Sequence, residues 1–315
     1  MKNKLMFFIM SLFLVSLVSA MSISKSININ SCQTLDEEGE SYYLTQDIQT
    51  DDTCFIITKD SITLNLNGHK ITGDNIGQDY AIKLDGVSNA VVINGFIEGF
   101  SGMNSAGIYL KDTKFSDVSD ISVSDSAIGF LLESSETNKI ENSEVIDIHK
   151  ISGRTAGIIL SDSDNNSIIN VKSNLTDDYS LDLPVAVIIE GGNDNLIKSL
   201  DIYGENYFLG IWFAESYSHN ISKDNILQKI NFKGSLMPID FIETGVIFFD
   251  ADSSLDTLIE KSDLRTENEN SVSMYYGAHT AKMITSLYSS VYVNKDSTLE
   301  TTNLTSSLNT LRCFK

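Results

Sequence analysis

The chain has 315 residues with 43 Asp and Glu against 22 Lys and Arg, a net charge of -21. So acidic a surface repels phosphate backbones and anionic lipid, and no basic run reverses the sign locally; nucleic acid is excluded as a partner and cations are the natural counterparts. The only arginines are Arg154, Arg265 and Arg312, which leaves few places for guanidinium clamps on acidic groups.

Residues 1–20 read as a signal peptide. A Met1-Lys-Asn-Lys head precedes an apolar run from Leu5 to Val18 and the small-residue site Val18-Ser19-Ala20. The mature chain is expected to start at Met21 and to be secreted or held at the cell surface, since no later stretch reaches the length of a spanning helix.

Residues 21–61 are expected to form an N-terminal cap and first rung. The text is irregular but dense in strand formers, as in Tyr42-Tyr43-Leu44 and Cys54-Phe55-Ile56-Ile57. Cys32 and Cys54 lie 22 residues apart. In an exported chain that spacing predicts a disulfide between neighbouring rungs, worth roughly 3 kcal/mol. Cys313 is left over, as a free thiol or an intermolecular partner.

Residues 62–264 carry a repeat. A small residue followed by three mostly apolar ones starts at Ala81, Gly107, Gly129, Gly157, Ala186, Gly210 and Gly245, in steps of 26, 22, 28, 29, 24 and 35 residues. Such spacing belongs to a stacked supersecondary unit and not to a helical heptad. By the strand period of two, the first and third residues after each small one point inward, as in Ile108 with Leu110 and Ile158 with Leu160. Nine residues after Gly129, Gly157 and Ala186 stand Asn138, Asn166 and Asn195, and ten after Gly210 stands Asn220. That recurrence predicts an amide ladder, with a second run at Asn142 and Asn170.

The Cys32…Cys54-Phe-Ile-Ile head, the phrase Leu64-Asn-Leu-Asn-Gly-His-Lys-Ile-Thr-Gly73 and the repeated Gly-Ile-x-Leu resemble right-handed parallel β-helix proteins of the pectin-lyase-like group, including NosD-like and archaeal surface β-helix proteins. The resemblance implies an all-β, right-handed parallel β-helix, with a disulfide-stapled N-terminal cap and a short C-terminal cap. It describes a fold and hardly an activity.

A nearly constant Asn offset places the length changes later in each rung, at Asp147 to Ala156, Ser173 to Val185 and Leu227 to Thr244, so that insertions collect on one edge. Residues 265–315 read as final rungs or a C-terminal cap, with strand-like stretches over 283–293 and 299–308.

Three constellations could carry chemistry. Asp85, Asp112, Glu133, Asp162, Glu190, Glu215 and Asp250 follow each small residue by four or five positions. Aligned, they form an acidic column that either keeps the surface soluble or holds Ca²⁺, with Glu133, Asp162, Glu190 and Glu215 as candidate ligands. No cofactor is otherwise required. The outward column Lys83, Tyr109, Leu131, Ile159, Ile188, Trp212 and Ile247 is too apolar to stand bare to water. It is covered by a loop or partner, or it offers aromatic platforms for sugar, with Tyr109, Trp212, Tyr179 and Phe232 as binding candidates.

For catalysis, the candidate is Arg154 with Asp125, Asp177, Asp178 and Asp182 on flanking turns, in the manner of a lyase. The four histidines share no ligand spacing, so no metal centre is expected from them. Sequons stand at Asn165, Asn174, Asn220 and Asn303, and Asn174, in an expected insertion, is the position for glycosylation. The leading expectation is an exported surface scaffold that binds carbohydrate or another surface partner without catalysis. The alternatives are a polysaccharide lyase or hydrolase and, third, a NosD-like accessory protein.

Overall fold

In the computed structural model, the described residues are 25–148, 154–175, 184–214, 216, 218, 222 and 224–236, followed by the backbone of separate strands. Side chains are described within these residues up to 231, apart from 205–209. The described residues form no helix; they build a parallel β-solenoid.

Each turn contributes to two ladders. Sheet A runs through Ser41–Leu44, Thr63–Asn65, Val91–Phe100, Asp117–Ser126, Ser167–Leu175 and Ile226–Leu236. Sheet B runs through Gln33–Leu35, Phe55–Ile57, Tyr80–Asp85, Ala106–Lys111, Ile128–Glu133, Ala156–Ser161 and Val185–Glu190. The strand Leu196–Ala214 serves both, pairing with Ser167–Leu175 in A and Val185–Glu190 in B. Beyond it the parallel pairing continues through Val246–Phe248, Asn270–Met274, Ser290–Asn294 and Leu311–Phe314.

The repeated phrase sits in sheet B. Ile82 and Leu84, Ile108 and Leu110, Phe130 and Leu132, Ile158 and Leu160, Val187 and Ile189, and Ile211 and Phe213 are all fully buried, stacking rung over rung. The small first residue has a steric cause. A Cβ on Gly107 would lie 2.5 Å from Val123 Cγ1, and one on Gly129 would lie 2.5 Å from the Gly157 carbonyl and 2.8 Å from Val145 Cγ2. The inward face of sheet A therefore presses on the start of these two sheet B strands.

Corners between the sheets use left-handed backbone. Asn89, Phe115, Thr137, Asn165, Asp194 and Asp224 have φ between 52° and 58°. Just after each of these stands a buried position where the amide ladder runs. Asn138 Nδ2 donates to Asn166 Oδ1 at 3.1 Å, Asn166 Nδ2 to Asn195 Oδ1 at 3.2 Å, and Asn195 Nδ2 to Asn225 Oδ1 at 3.1 Å. Each Oδ1 also accepts the backbone N–H of the preceding rung's ladder residue, at 2.9–3.0 Å.

The ladder's fourth asparagine is therefore Asn225 and not Asn220, which lies outside the described residues. Ser116 occupies the same place one rung earlier, its N–H donating to Asn138 Oδ1 at 3.0 Å. The exposed pair is also bonded, with Asn170 Nδ2 donating to Asn142 Oδ1 at 2.7 Å.

Two expectations about insertions change. Residues 226–236 are a sheet A strand, so the extra length of that turn falls between Ala214 and Asn225. Asn174 lies in the strand Ser167–Leu175, paired with Ile146 and Tyr203, and does not stand in a loop. The bridge between Cys32 and Cys54 is formed, with a Cα separation of 4.4 Å.

Candidate functional site

The outer face of sheet B is where aromatic, charged and apolar side chains meet. Its register aligns Lys83, Tyr109, Leu131, Ile159, Ile188 and Trp212. A second outward column, formed by the residue before each small one, holds Tyr80, Ala106, Ile128, Ala156 and Val185. Both columns merge into one apolar cluster separate from the core. Ile159 is 0% and Ile188 4% exposed, whereas Lys83, Leu131 and Trp212 are half-buried. The face is greasy and largely withdrawn from water, as the outward column requires.

Tyr109 and Trp212 do not share a platform. They stand four rungs apart, about 19 Å at the ordinary strand spacing, with Leu131, Ile159 and Ile188 between them. Tyr109 instead pairs with Tyr80, ring centroids 4.7 Å apart and tilted by 41°. Spacing within the repeat did not flag Tyr80, although an aromatic residue directly before the small one was the available signal.

Polar groups close around that aromatic pair. Tyr109 Oη donates to Glu133 Oε2 at 2.7 Å, Gln78 Nε2 donates to Tyr80 Oη at 3.2 Å, and Lys83 Nζ lies 2.7 Å from Asp85 Oδ2 and 5.9 Å from the Tyr109 ring centroid. Burial first, and the Glu133 carboxylate second, raise the Tyr109 phenol well above its ordinary range. Burial raises Tyr80 likewise. Both hydroxyls stay protonated donors at neutral pH.

The acidic repeat divides between two positions. In register, one column reads Asp85, Lys111, Glu133, Ser161, Glu190 and Ala214, so its carboxylates fall on alternate rungs. Asp112 and Asp162 sit one residue further, at left-handed corners (φ 50° and 46°) in line with Gly86, Ser134 and Gly191. Aspartate there answers a backbone need, because its short polar side chain tolerates that conformation. Asp162 therefore does not continue the Glu133–Glu190 column. Glu215 and Asp250 lie outside the described residues. Among the described residues, no group of three or more His, Cys, Asp or Glu is arranged to hold a metal ion.

Arg154 forms an ion pair with Glu190 Oε1, bringing a guanidinium to the trunk of the same column. The other oxygen of Glu190 is buried without a hydrogen-bond partner, and so is the Thr155 hydroxyl. Asp125 accepts from Asn75 Nδ2 at 3.1 Å. Asp177, Asp178, Asp182, Tyr179 and the Phe232 side chain lie outside the described residues.

No protein-family model matches the sequence, and no curated protein is similar to it at the sequence level. Among solved structures, the chain is similar to an alginate lyase from Paenibacillus sp. str. FPU-7, at 12% identity and a TM-score of 0.52, over 89% of this chain and 99% of that one. It is also similar to a tailspike protein of E. coli bacteriophage HK620, at 7% identity and a TM-score of 0.51, over 88% of this chain and 60% of that one. At such identities the likeness is one of fold: the chain is a parallel β-helix, as those proteins are.

Proposed function

We propose that the protein is an exported surface scaffold that binds carbohydrate on the outer face of sheet B, without turning it over. The observation that carries this reading is the Tyr80–Tyr109 pair with its ring of hydrogen-bonding groups, Gln78, Lys83, Asp85 and Glu133. Aromatic faces with polar groups at their edges are suited to pyranose rings, which are apolar on their faces and hydroxylated at their rims. Export is supported by the Cys32–Cys54 bridge, which fits an oxidising compartment. Among the described residues no helix is long and apolar enough to cross a membrane. Retention on a glycan array by the full chain, lost by at least about tenfold in Tyr80→Ala, is the expected result; an unchanged array profile in that variant would remove the site from the reading.

A second reading, a polysaccharide lyase or hydrolase, is favoured by Arg154 at Glu190 and by Glu133 two rungs away, at about 10 Å between Cα atoms. Incubation with a polysaccharide panel, read for unsaturated or reducing ends, tests it. Products that vanish in Arg154→Ala would establish catalysis and replace the non-catalytic reading.

A further inference from the structure

The outer face of sheet B carries its own charge balance, unlike the rest of the molecule. Its cations are Lys83, Lys111 and Arg154, and its carboxylates are Asp85, Glu133 and Glu190, so three positive and three negative groups sum to zero on a chain of net charge -21. Two of the three cations are committed internally. Lys83 is held by Asp85 at 2.7 Å and keeps 23% side-chain exposure. Arg154 is held by Glu190, whose side chain is 13% exposed. Lys111 stands in register between Asp85 on one rung and Glu133 on the next, flanked by a carboxylate on each side.

A polymer bearing a carboxylate on every sugar would find Lys83 and Arg154 already paired and Lys111 flanked in register by two carboxylates. It would also have to approach through the field of a strongly acidic protein. Separating Lys83 from Asp85, or Arg154 from Glu190, would leave a half-buried carboxylate unpaired, which costs more than the new pair returns. Hydroxyl groups meet the opposite situation. Glu133 is already used as an acceptor by a hydroxyl, that of Tyr109. A sugar O–H supplies a donor to such a group, whereas a uronate oxygen supplies only another acceptor.

We infer that the ligand of this face is a neutral, hydroxyl-rich glycan and not a uronic-acid polymer, an inference that rests on the proposed carbohydrate-binding face. The internal ion pairs act as a filter: they fill the positions where an acidic sugar would be recognised.

The test uses the full chain in two binding series, with neutral probes (β-glucan, galactan and mannan oligosaccharides) and acidic probes (polygalacturonate and alginate oligosaccharides), each at about 20 mM and 300 mM salt. Expected are binding to at least one neutral probe with less than about twofold change across that salt range, and at least tenfold weaker retention of both acidic probes. Asp85→Asn, which releases Lys83, is expected to raise retention of the acidic probes at low salt by at least about threefold. Circular dichroism of the variant keeps loss of fold apart from loss of selectivity. Tighter binding of an acidic probe by the native chain would overturn the neutral-glycan inference and leave the carbohydrate face standing. Binding of neither series would overturn both.

Discussion

The Tyr109 hydroxyl and the Glu133 carboxylate, 24 residues apart in sequence, meet at 2.7 Å because the register of one rung on the next sets Tyr109 beside Leu131, two residues from Glu133. One hydrogen bond thus ties the aromatic pair to the charged column. Tyr109→Phe removes it and leaves a half-buried carboxylate without that donor. A loss of about 1–2 kcal/mol is expected by urea denaturation.

The same phenol gives a pH dependence. Its folded pKa is raised above the ordinary 10.0, so the unfolded chain releases this proton first. The contribution to stability is complete below that value and declines as pH rises beyond it. Tyr80 and Tyr42 are shifted in the same direction. Denaturation midpoints at about pH 9 and about pH 11 are expected to fall with pH, and to fall less in Tyr109→Phe. Parallel falls in both proteins would count against the shift.

Asn166 is fully buried and bonds ladder residues on both neighbouring rungs. Its Oδ1 accepts Asn138 N–H and Nδ2, and its Nδ2 donates to Ser135 O and Asn195 Oδ1. Asn166→Ala orphans buried groups on two neighbouring rungs, and about 3 kcal/mol or more of destabilisation is expected. Asn170→Ala, at the exposed pair, should stay within about 0.5 kcal/mol.

Gly129→Ala places a Cβ against the Gly157 carbonyl and Val145. Crowding of backbone by a new methyl predicts a loss of about 1–3 kcal/mol in thermal or urea melts. Ala186, at the equivalent place in its own rung, already carries a Cβ, so Ala186→Gly should cost only about 1 kcal/mol.

For cations, Lys111 stands between Asp85 and Glu133, and Ser161 between Glu133 and Glu190. Melting midpoints in about 5 mM Ca²⁺ and in chelator are expected to coincide within error, since a site of useful affinity would raise the midpoint with Ca²⁺ concentration.

The core was legible in the sequence because a period of two inside a period of about one turn leaves few choices for which side chains point inward. The Asn ladder was legible where the offset from the small residue stayed at nine: Asn138, Asn166 and Asn195, and also Ser116 and Ala90, which occupy the place without an amide. It failed at Asn225, because the extra residues of that turn enter before the ladder position. The carboxylates misled for a related reason. Offsets of four and five look alike in a list of positions, yet one is an outward strand residue and the other a left-handed corner. Tyr80 went unnoticed because the column it begins continues as Ala106, Ile128, Ala156 and Val185, which read as ordinary strand residues.

Each asparagine of the ladder offers the rung before it one acceptor and takes from the rung after it the same acceptor. The junction between turns is therefore chemically the same at every step from Asn138 to Asn225. A whole turn can be removed or copied without designing a new junction, provided the cut runs from one small residue to the next. The 28 residues from Gly129 to Ala156 are such a unit. Each unit gained or lost changes the extent of the outer face by about 4.8 Å. The reach of this protein along an extended ligand is thus set by how many copies of one junction its gene encodes.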